Sequence, residues 1–263
     1  MVIIGYIAAV LIGVALGLIG GGGSILTVPV LVYLMGVDPV MATAYSLFIV
    51  GVTSGVGSFS FFKKKLVDVK TAIVFGIPSI IAVFLTRALI IPAIPDEVFT
   101  VGSFLVTKSI LLMLLFAILM VVASYSMIKG RKGEEEKVQE QKFNYLLILL
   151  EGSVVGVLTG LVGAGGGFLI IPALVILSRL PMKMAVGTSL VIIAAKSLIG
   201  FFGEDLSVVE WNLIVPVTLM AVVGIFIGAS LSKRIDGDKL KPAFGWFVLV
   251  MGVYILIKEL FLS

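Results

Sequence analysis

The chain lacks cysteine and histidine altogether. Without cysteine there are no disulfides, no thiol nucleophile and no thiolate metal site. Without histidine, the commonest metal ligand and the usual general base near neutral pH are missing. Charge is scarce too: 19 Lys and Arg with 15 Asp and Glu make 13% of 263 residues, where a soluble domain carries about 25%. Residues of the apolar set reach 60%, and a soluble fold of this size has too little polar surface to cover such a core. An ordinary soluble enzyme is excluded, and nothing in the chain calls for a metal or a cofactor.

What is present points to a lipid bilayer. Mean hydropathy is +1.26, and 30 glycines suit transmembrane helices, where glycine is common. The net charge of +4 does not indicate nucleic acid, because the basic residues sit in short loops between apolar segments. Met1 is followed at once by apolar residues, without the basic stretch of a secretory leader, so the first segment is expected to stay in the protein. A membrane crossing needs about 20 mostly apolar residues. That length predicts full helices near 3–19, 41–61, 71–91, 104–128, 143–162, 184–203, 211–231 and 243–260. Two shorter stretches, Ile25–Leu34 and Phe168–Leu177, each follow a glycine cluster and each contain a proline, Pro29 or Pro172. They read as half-helices.

The chain also repeats itself. Residues 13–59 match 156–202 without a gap at an offset of 143, with 20 of 47 positions identical, glycines and prolines in register. That is an internal duplication. If each glycine hairpin returns to the side it entered from, each half contributes three full crossings, and an odd number inverts the second half. Placing Lys63–Lys65 with Lys70 in the same loop, residues 129–142, Arg179, Lys183 and the Lys233–Lys241 turn inside puts fifteen of the 19 basic residues in the cytoplasm. Arg87, Lys108 and Lys258 then lie near the outer surface, where snorkelling is the expectation for Arg87 and Lys108. The opposite orientation breaks the positive-inside rule in nearly every loop. The expected fold is therefore an all-α polytopic membrane protein of two inverted repeats, 1–128 and 143–263, joined by a cytoplasmic polar linker at 129–142. Each repeat is a glycine-loop hairpin with a half-helix plus three full helices.

The candidate chemistry lies in the glycine clusters, Gly20-Gly21-Gly22-Gly23-Ser24 and Gly163-Ala164-Gly165-Gly166-Gly167. Non-helical backbone at membrane depth is tolerated only within protein or beside a water-filled cavity. Free N–H groups at the start of a half-helix, aided by its dipole, favour an anion. The backbone amides of Gly20, Gly21, Gly22, Gly23, Gly163, Gly165, Gly166 and Gly167 are thus candidate anion donors. The alternative is that the glycines only permit tight hairpins, as Gly13-x-x-x-Gly17 and Gly156-x-x-x-Gly160 permit helix packing. Neither cluster continues into the Gly-Lys-Ser/Thr of a nucleotide loop.

The helices after the half-helices carry matching stripes. Ser46, Thr53 and Gly57 share one face, and Ser189, Lys196 and Gly200 repeat the spacing. Ser24, Ser46, Thr188 and Ser189 are candidate hydroxyl ligands, although a lone hydroxyl in a membrane helix usually bonds its own backbone. Lys196 is an intramembrane ammonium, which is costly and faces a cavity or a partner. It is the candidate countercharge, with outward snorkelling as the alternative. Glu151, which has no acidic counterpart at Ala8, is a candidate proton carrier or a partner for Lys196.

At Gly17–Pro29 (GLIGGGGSILTVP) and Gly160–Pro172 (GLVGAGGGFLIIP), each followed by Met-Ala-x-x-x-Ser-Leu (41–47, 184–190), the sequence resembles the TauE/SafE family of sulfite and sulfonate exporters. The second copy reads Ala-Val-Gly-Thr-Ser-Leu at 185–190, while the first departs from it at Ala44-Tyr45. The resemblance implies a multi-pass plasma-membrane transporter of sulfite, sulfonates or related small anions, with protons as the coupling ion. The expected function is a secondary transporter, and specifically an exporter, that binds its anion between the two hairpins. A passive anion channel on the same scaffold and an uptake permease for an organosulfonate are the alternatives. An intramembrane enzyme lacks an acid–base pair. The oligomeric state is not legible.

Overall fold

The computed structural model describes residues 2–101, 104–129, 145–176, 180–231 and 237–261. The polar linker beyond Lys129, together with Arg179 and residues 232–236, lies outside the described residues. Helix α1 (Val2–Ile19) runs into a 3-10 turn, Gly20–Leu26, followed by the short α2 (Thr27–Pro29) and a π-helical stretch, Val30–Leu34. A Cβ built on Gly5 would lie 2.8 Å from Met35 Cγ, so this segment folds back along α1 and ends beside its start. Then come α3 (Pro39–Lys63) and α4 (Val69–Leu85), the latter extended by a π-turn, Thr86–Ile90, and by α5 (Ile91–Ala93). Carboxylates set both starts: Asp38 Oδ1 accepts from Val40 N and Met41 N, and Asp68 Oδ1 accepts from Thr71 N. Such caps satisfy the free amides of a first helical turn.

The second half opens with α7 (Tyr145–Val162), and α8 (Gly167–Ile176) follows as its half-helix. Ile148 and Val155 of α7 share one apolar cluster with Ile170 and Leu174 of α8, which packs mainly on α9 and the first glycine turn. Next are α9 (Met182–Phe201), α10 (Trp211–Leu231) and α11 (Gly237–Phe261). Between the halves, α6 spans Lys108–Lys129. The expected helix from residue 104 is corrected here. Strands β1 (Glu97–Val101) and β2 (Phe104–Thr107) pair antiparallel ahead of α6, with Val101 opposite Phe104. Hydropathy alone hides this hairpin, but its β-branched and aromatic residues, with Leu105 exposed and Val106 buried, follow the two-residue period of a strand.

Seven described helices are long and apolar enough to cross a membrane, and Leu146–Val162 is a shorter apolar one. Large apolar side chains face outward at helical spacing, for example Ile4, Ile7 and Leu11 on α1 and Ile73, Ile77 and Ile81 on α4. In water this would be a liability; against lipid it is the expected surface. The protein is a multi-pass membrane protein.

Close packing follows the small residues. α1 lies on α10, where Gly13 meets the backbone of Ala221 and Gly17 that of Gly228. α4 lies on α7, where Gly156 meets Ser79 and Gly160 meets Thr86. Without a hydrophobic drive between helices in lipid, such backbone approach supplies the packing energy. α3 and α9 cross at the centre and are the most buried spans. They run antiparallel. Tyr45 Oη, near the start of α3, accepts from Glu210 N beyond the end of α9, and the Thr188 hydroxyl, near the start of α9, accepts from Asp68 N beyond the end of α3.

Candidate substrate site

The two glycine clusters meet at the centre of the bundle but fold differently. In the first, Gly20 has φ +74° and the chain then winds through the 3-10 turn, with Gly20–Ile25 buried. This corrects the expectation of open loop backbone, because a 3-10 turn uses amides in its own i→i+3 bonds. Ser24 is wholly buried and its hydroxyl donates to Gly21 O at 2.7 Å. The second cluster breaks the helix. Gly163, Gly165 and Gly166 all have positive φ, a region that L side chains rarely adopt. Gly163 N donates to Thr159 O at 2.8 Å, and α8 starts only at Gly167, which places its amino end at this turn.

Contact between the clusters is backbone to backbone. A Cβ on Gly21 would lie 2.6 Å from Gly167 Cα, and one on Gly165 would lie 3.5 Å from Ser24 Cβ. Gly20 packs against Val186 of α9, and Gly163 against Thr43 of α3. Gly22 faces elsewhere, toward Ile19 and Met127. Gly23 packs on Leu16 and Ala15 of its own helix.

Gly166 faces Lys196. A Cβ there would lie 2.8 Å from Lys196 Nζ and would run into the Thr159 hydroxyl. The ammonium is fully buried and donates to Thr159 Oγ1 at 2.9 Å. Lysine carries three donors, and Thr159 takes one. Among the described residues no carboxylate pairs with Lys196. Snorkelling is therefore overturned as its role in this conformation. A crevice lined by Leu119, Leu158, Val162 and Phe168 as well as Thr159 and Gly166 lies alongside and is too narrow for a water molecule.

The other sequence candidates are spread out. Ser46 is buried with no partner for its hydroxyl. Ser189 donates to Val186 O at 2.8 Å, and Thr188 holds the start of α4 through Asp68 N at 2.9 Å. Eight residues of helix, about 12 Å, separate Thr188 from Lys196. Glu151 lies equally far along α7 from Thr159. It is part-buried, and its Oε2 has no partner. The two charges do not pair.

Two features escaped the sequence reading. Thr159 aligns with Leu16 in the first repeat, so its exchange of an apolar for a polar residue facing the glycine turn was an available signal. Arg87 does not snorkel. It is fully buried and donates from Nη1 to Glu204 Oε1 at 2.8 Å. Next to Glu204, at an exposed loop, Asp205 accepts from the Ser207 hydroxyl and amide, which hold its carboxyl below the usual range.

A bundle of membrane-spanning helices closed around buried glycine turns and an intramembrane cation is the build of a membrane transporter. Residues 5–255 match the family described as sulfite exporter TauE/SafE, and the chain belongs to that family. A probable membrane transporter protein of Xylella fastidiosa (strain 9a5c) is 30% identical over 256 residues, covering 94% of this chain and 91% of the relative. The probable membrane transporter protein YunE of Bacillus subtilis (strain 168) is 28% identical and covers 99% and 98% of the two chains. The probable membrane transporter protein MJ0441 of Methanocaldococcus jannaschii is 25% identical, covering 98% and 94%. No solved structure matches the chain.

Proposed function

We propose that the protein exports a small anion, sulfite or a related sulfur oxyanion or organosulfonate, across the plasma membrane by alternating access between two inverted halves. The observation that carries this reading is Lys196, a buried ammonium with donors to spare beside the broken glycine turn. A buried charge without a countercharge is costly, and an anion at this place would supply one. Its ligands are Lys196 Nζ and the amino end of α8 at Gly166 and Gly167, with Gly21 and Ser24 of the first hairpin closing the opposite side. Of the four candidate hydroxyls, Ser46 is the one without a partner and so the one free to join the anion.

The inverted arrangement is supported by the antiparallel α3 and α9, which are equivalents in the duplication. The pairs α1–α10 and α4–α7 also exchange when the halves are exchanged. With the positive-inside rule, the end carrying Asp38, Glu204 and Glu210 is outer, and the 129–142 linker is cytoplasmic. Rocking one half on the other would open the centre to each side in turn. The narrowness of the crevice beside Lys196 favours such an occluding carrier over an open channel. Glu151 is the candidate carrier of a coupling proton.

A thermal-shift screen against sulfite, sulfate, thiosulfate, sulfoacetate and taurine tests the substrate class. Stabilisation by at least one is expected, and none would refute it. Because the chain has no native cysteine, single introduced cysteines report topology without background. Residues 63–65 and 129–142 should label from inside, and 94–97 and 204–207 from outside. Finding 94–97 and 129–142 on one side would sink the inverted arrangement.

A further inference from the structure

Among the described residues Arg87 is a buried cation besides Lys196, and its pairing with Glu204 accounts for only one of its nitrogens. Nε and Nη2 are buried and have no hydrogen-bond partner, although the side chain is wholly enclosed. Leaving donors of a buried guanidinium unanswered is expensive. Those two nitrogens form one edge of the planar guanidinium, whose parallel N–H groups match two oxygens of a single oxyanion. Glu204 grips the group from Nη1, and its side chain is 16% exposed against 0% for Arg87. The carboxylate thus sits on the outer-loop side of the pair and fixes the orientation of the arginine.

The surroundings connect this edge to Lys196. Lys196 and Gly200 lie on one face of α9 at the i, i+4 spacing, and Gly203 follows in the turn just beyond the helix end. Gly200 packs against Val83, and Gly203 packs against Arg87, with 3.0 Å from a Cβ placed there to Arg87 Cβ. Thr86 packs on Gly160, whose neighbour Thr159 accepts from Lys196. Arg87 and Lys196 therefore belong to one seam where α7, α9 and the π-turn after α4 meet, with Lys196 about one helical turn from Gly200 on α9. We propose that Arg87 is a second oxyanion station on this seam, holding the anion side-on through Nε and Nη2 at the outer end, with Glu204 as its positioning residue.

The proposal deepens the transport reading and rests on it for the direction of travel, but its ligand chemistry can be tested separately. Binding of sulfite, sulfate, thiosulfate, phosphate and chloride would be measured by isothermal titration on the purified full-length parent, Arg87→Lys, Glu204→Gln and Lys196→Met. Arg87→Lys keeps the charge and removes the two-pronged edge. It should weaken the preferred oxyanion at least tenfold and cut its preference over chloride, a single-atom anion without a second oxygen, by a similar factor. Glu204→Gln keeps a partner for Nη1 and removes the competing charge, so oxyanion binding should tighten at least threefold. This variant keeps the test alive if Arg87→Lys does not fold. An Arg87→Lys protein with oxyanion affinity and preference within about twofold of the parent would make Arg87 a structural ion pair only. Unchanged or weaker binding in Glu204→Gln would overturn the proposal equally. Loss in Arg87→Lys with none in Lys196→Met would keep the outer station and refute the central site. A parent that binds no oxyanion of the panel would refute both.

Discussion

At Gly23 the first hairpin presses its backbone onto Leu16 and Ala15 of its own helix, whereas the equivalent Gly166 of the second faces Thr159 and the Lys196 ammonium. The same contrast runs through the neighbouring helices. Thr53, the equivalent of Lys196, turns its hydroxyl back to Ile49 O at 2.6 Å, while Lys196 reaches across to α7. The first glycine cluster winds into a 3-10 turn, and the second is broken at three positive-φ glycines, Gly163, Gly165 and Gly166, which align with Gly20, Gly22 and Gly23; of those three only Gly20 shares the positive φ. A duplication supplies two equivalent frames, and here one frame is specialised for closing the centre and the other for charge.

Substitutions at equivalent positions sharpen this contrast. The largest effect is expected at Gly166→Ala, where the added methyl meets Lys196 Nζ and the Thr159 hydroxyl at a φ of +65°. Oxyanion affinity in the purified protein should fall by about 100-fold, or ~2.7 kcal/mol. Wild-type affinity would remove the second turn from the site.

Gly165→Ala and Gly22→Ala form a matched pair. The first is forced into the left-handed region, which costs about 1–2 kcal/mol, and crowds Val50. At Gly22, with no left-handed φ, a Cβ meets only side-chain atoms, Ile19 Cγ2 at 3.2 Å and Met127 Cε at 3.8 Å. Affinity should fall about tenfold in the first and stay within about twofold in the second, near 0.4 kcal/mol. Equal losses would erase the distinction between the hairpins.

A smaller effect is expected at Thr159→Val, which removes the acceptor of a buried ammonium at nearly constant volume. Leaving a buried donor unsatisfied costs about 1–3 kcal/mol, so thermal unfolding in detergent should begin several degrees lower. An oxyanion present at saturation should restore part of that loss. No shift in the apo protein would show that Lys196 finds another partner.

Much of this architecture was readable in the residues because lipid imposes simple rules. Spans follow from length and hydropathy, and the half-helices from glycine and proline in register. Gly13, Gly17, Gly156 and Gly160 pack helices as their spacing suggests. The β1–β2 hairpin was hidden because its apolar residues read as the start of α6. Of the candidate site, the sequence singled out the glycine clusters and Lys196, and the structure places them side by side. Its details were not legible, since a row of glycines does not reveal whether its backbone winds into a 3-10 turn or breaks. Nor do hydroxyl positions reveal which groups are already spoken for, as Ser24, Thr188 and Ser189 are. Arg87 was read from its distance to a helix end, whereas its place is decided by Glu204, 117 residues away.

The central claim is that the ammonium of Lys196 holds the anion, and the most direct measurement is a sulfite titration of Lys196→Met beside Thr53→Met. Both are purified, and both are checked for the parent's elution volume. Methionine keeps most of the lysine's aliphatic length and removes the charge. The account predicts that Lys196→Met loses at least tenfold in affinity, about 1.4 kcal/mol, while Thr53→Met stays within about threefold of the parent. Parental affinity in Lys196→Met would contradict it.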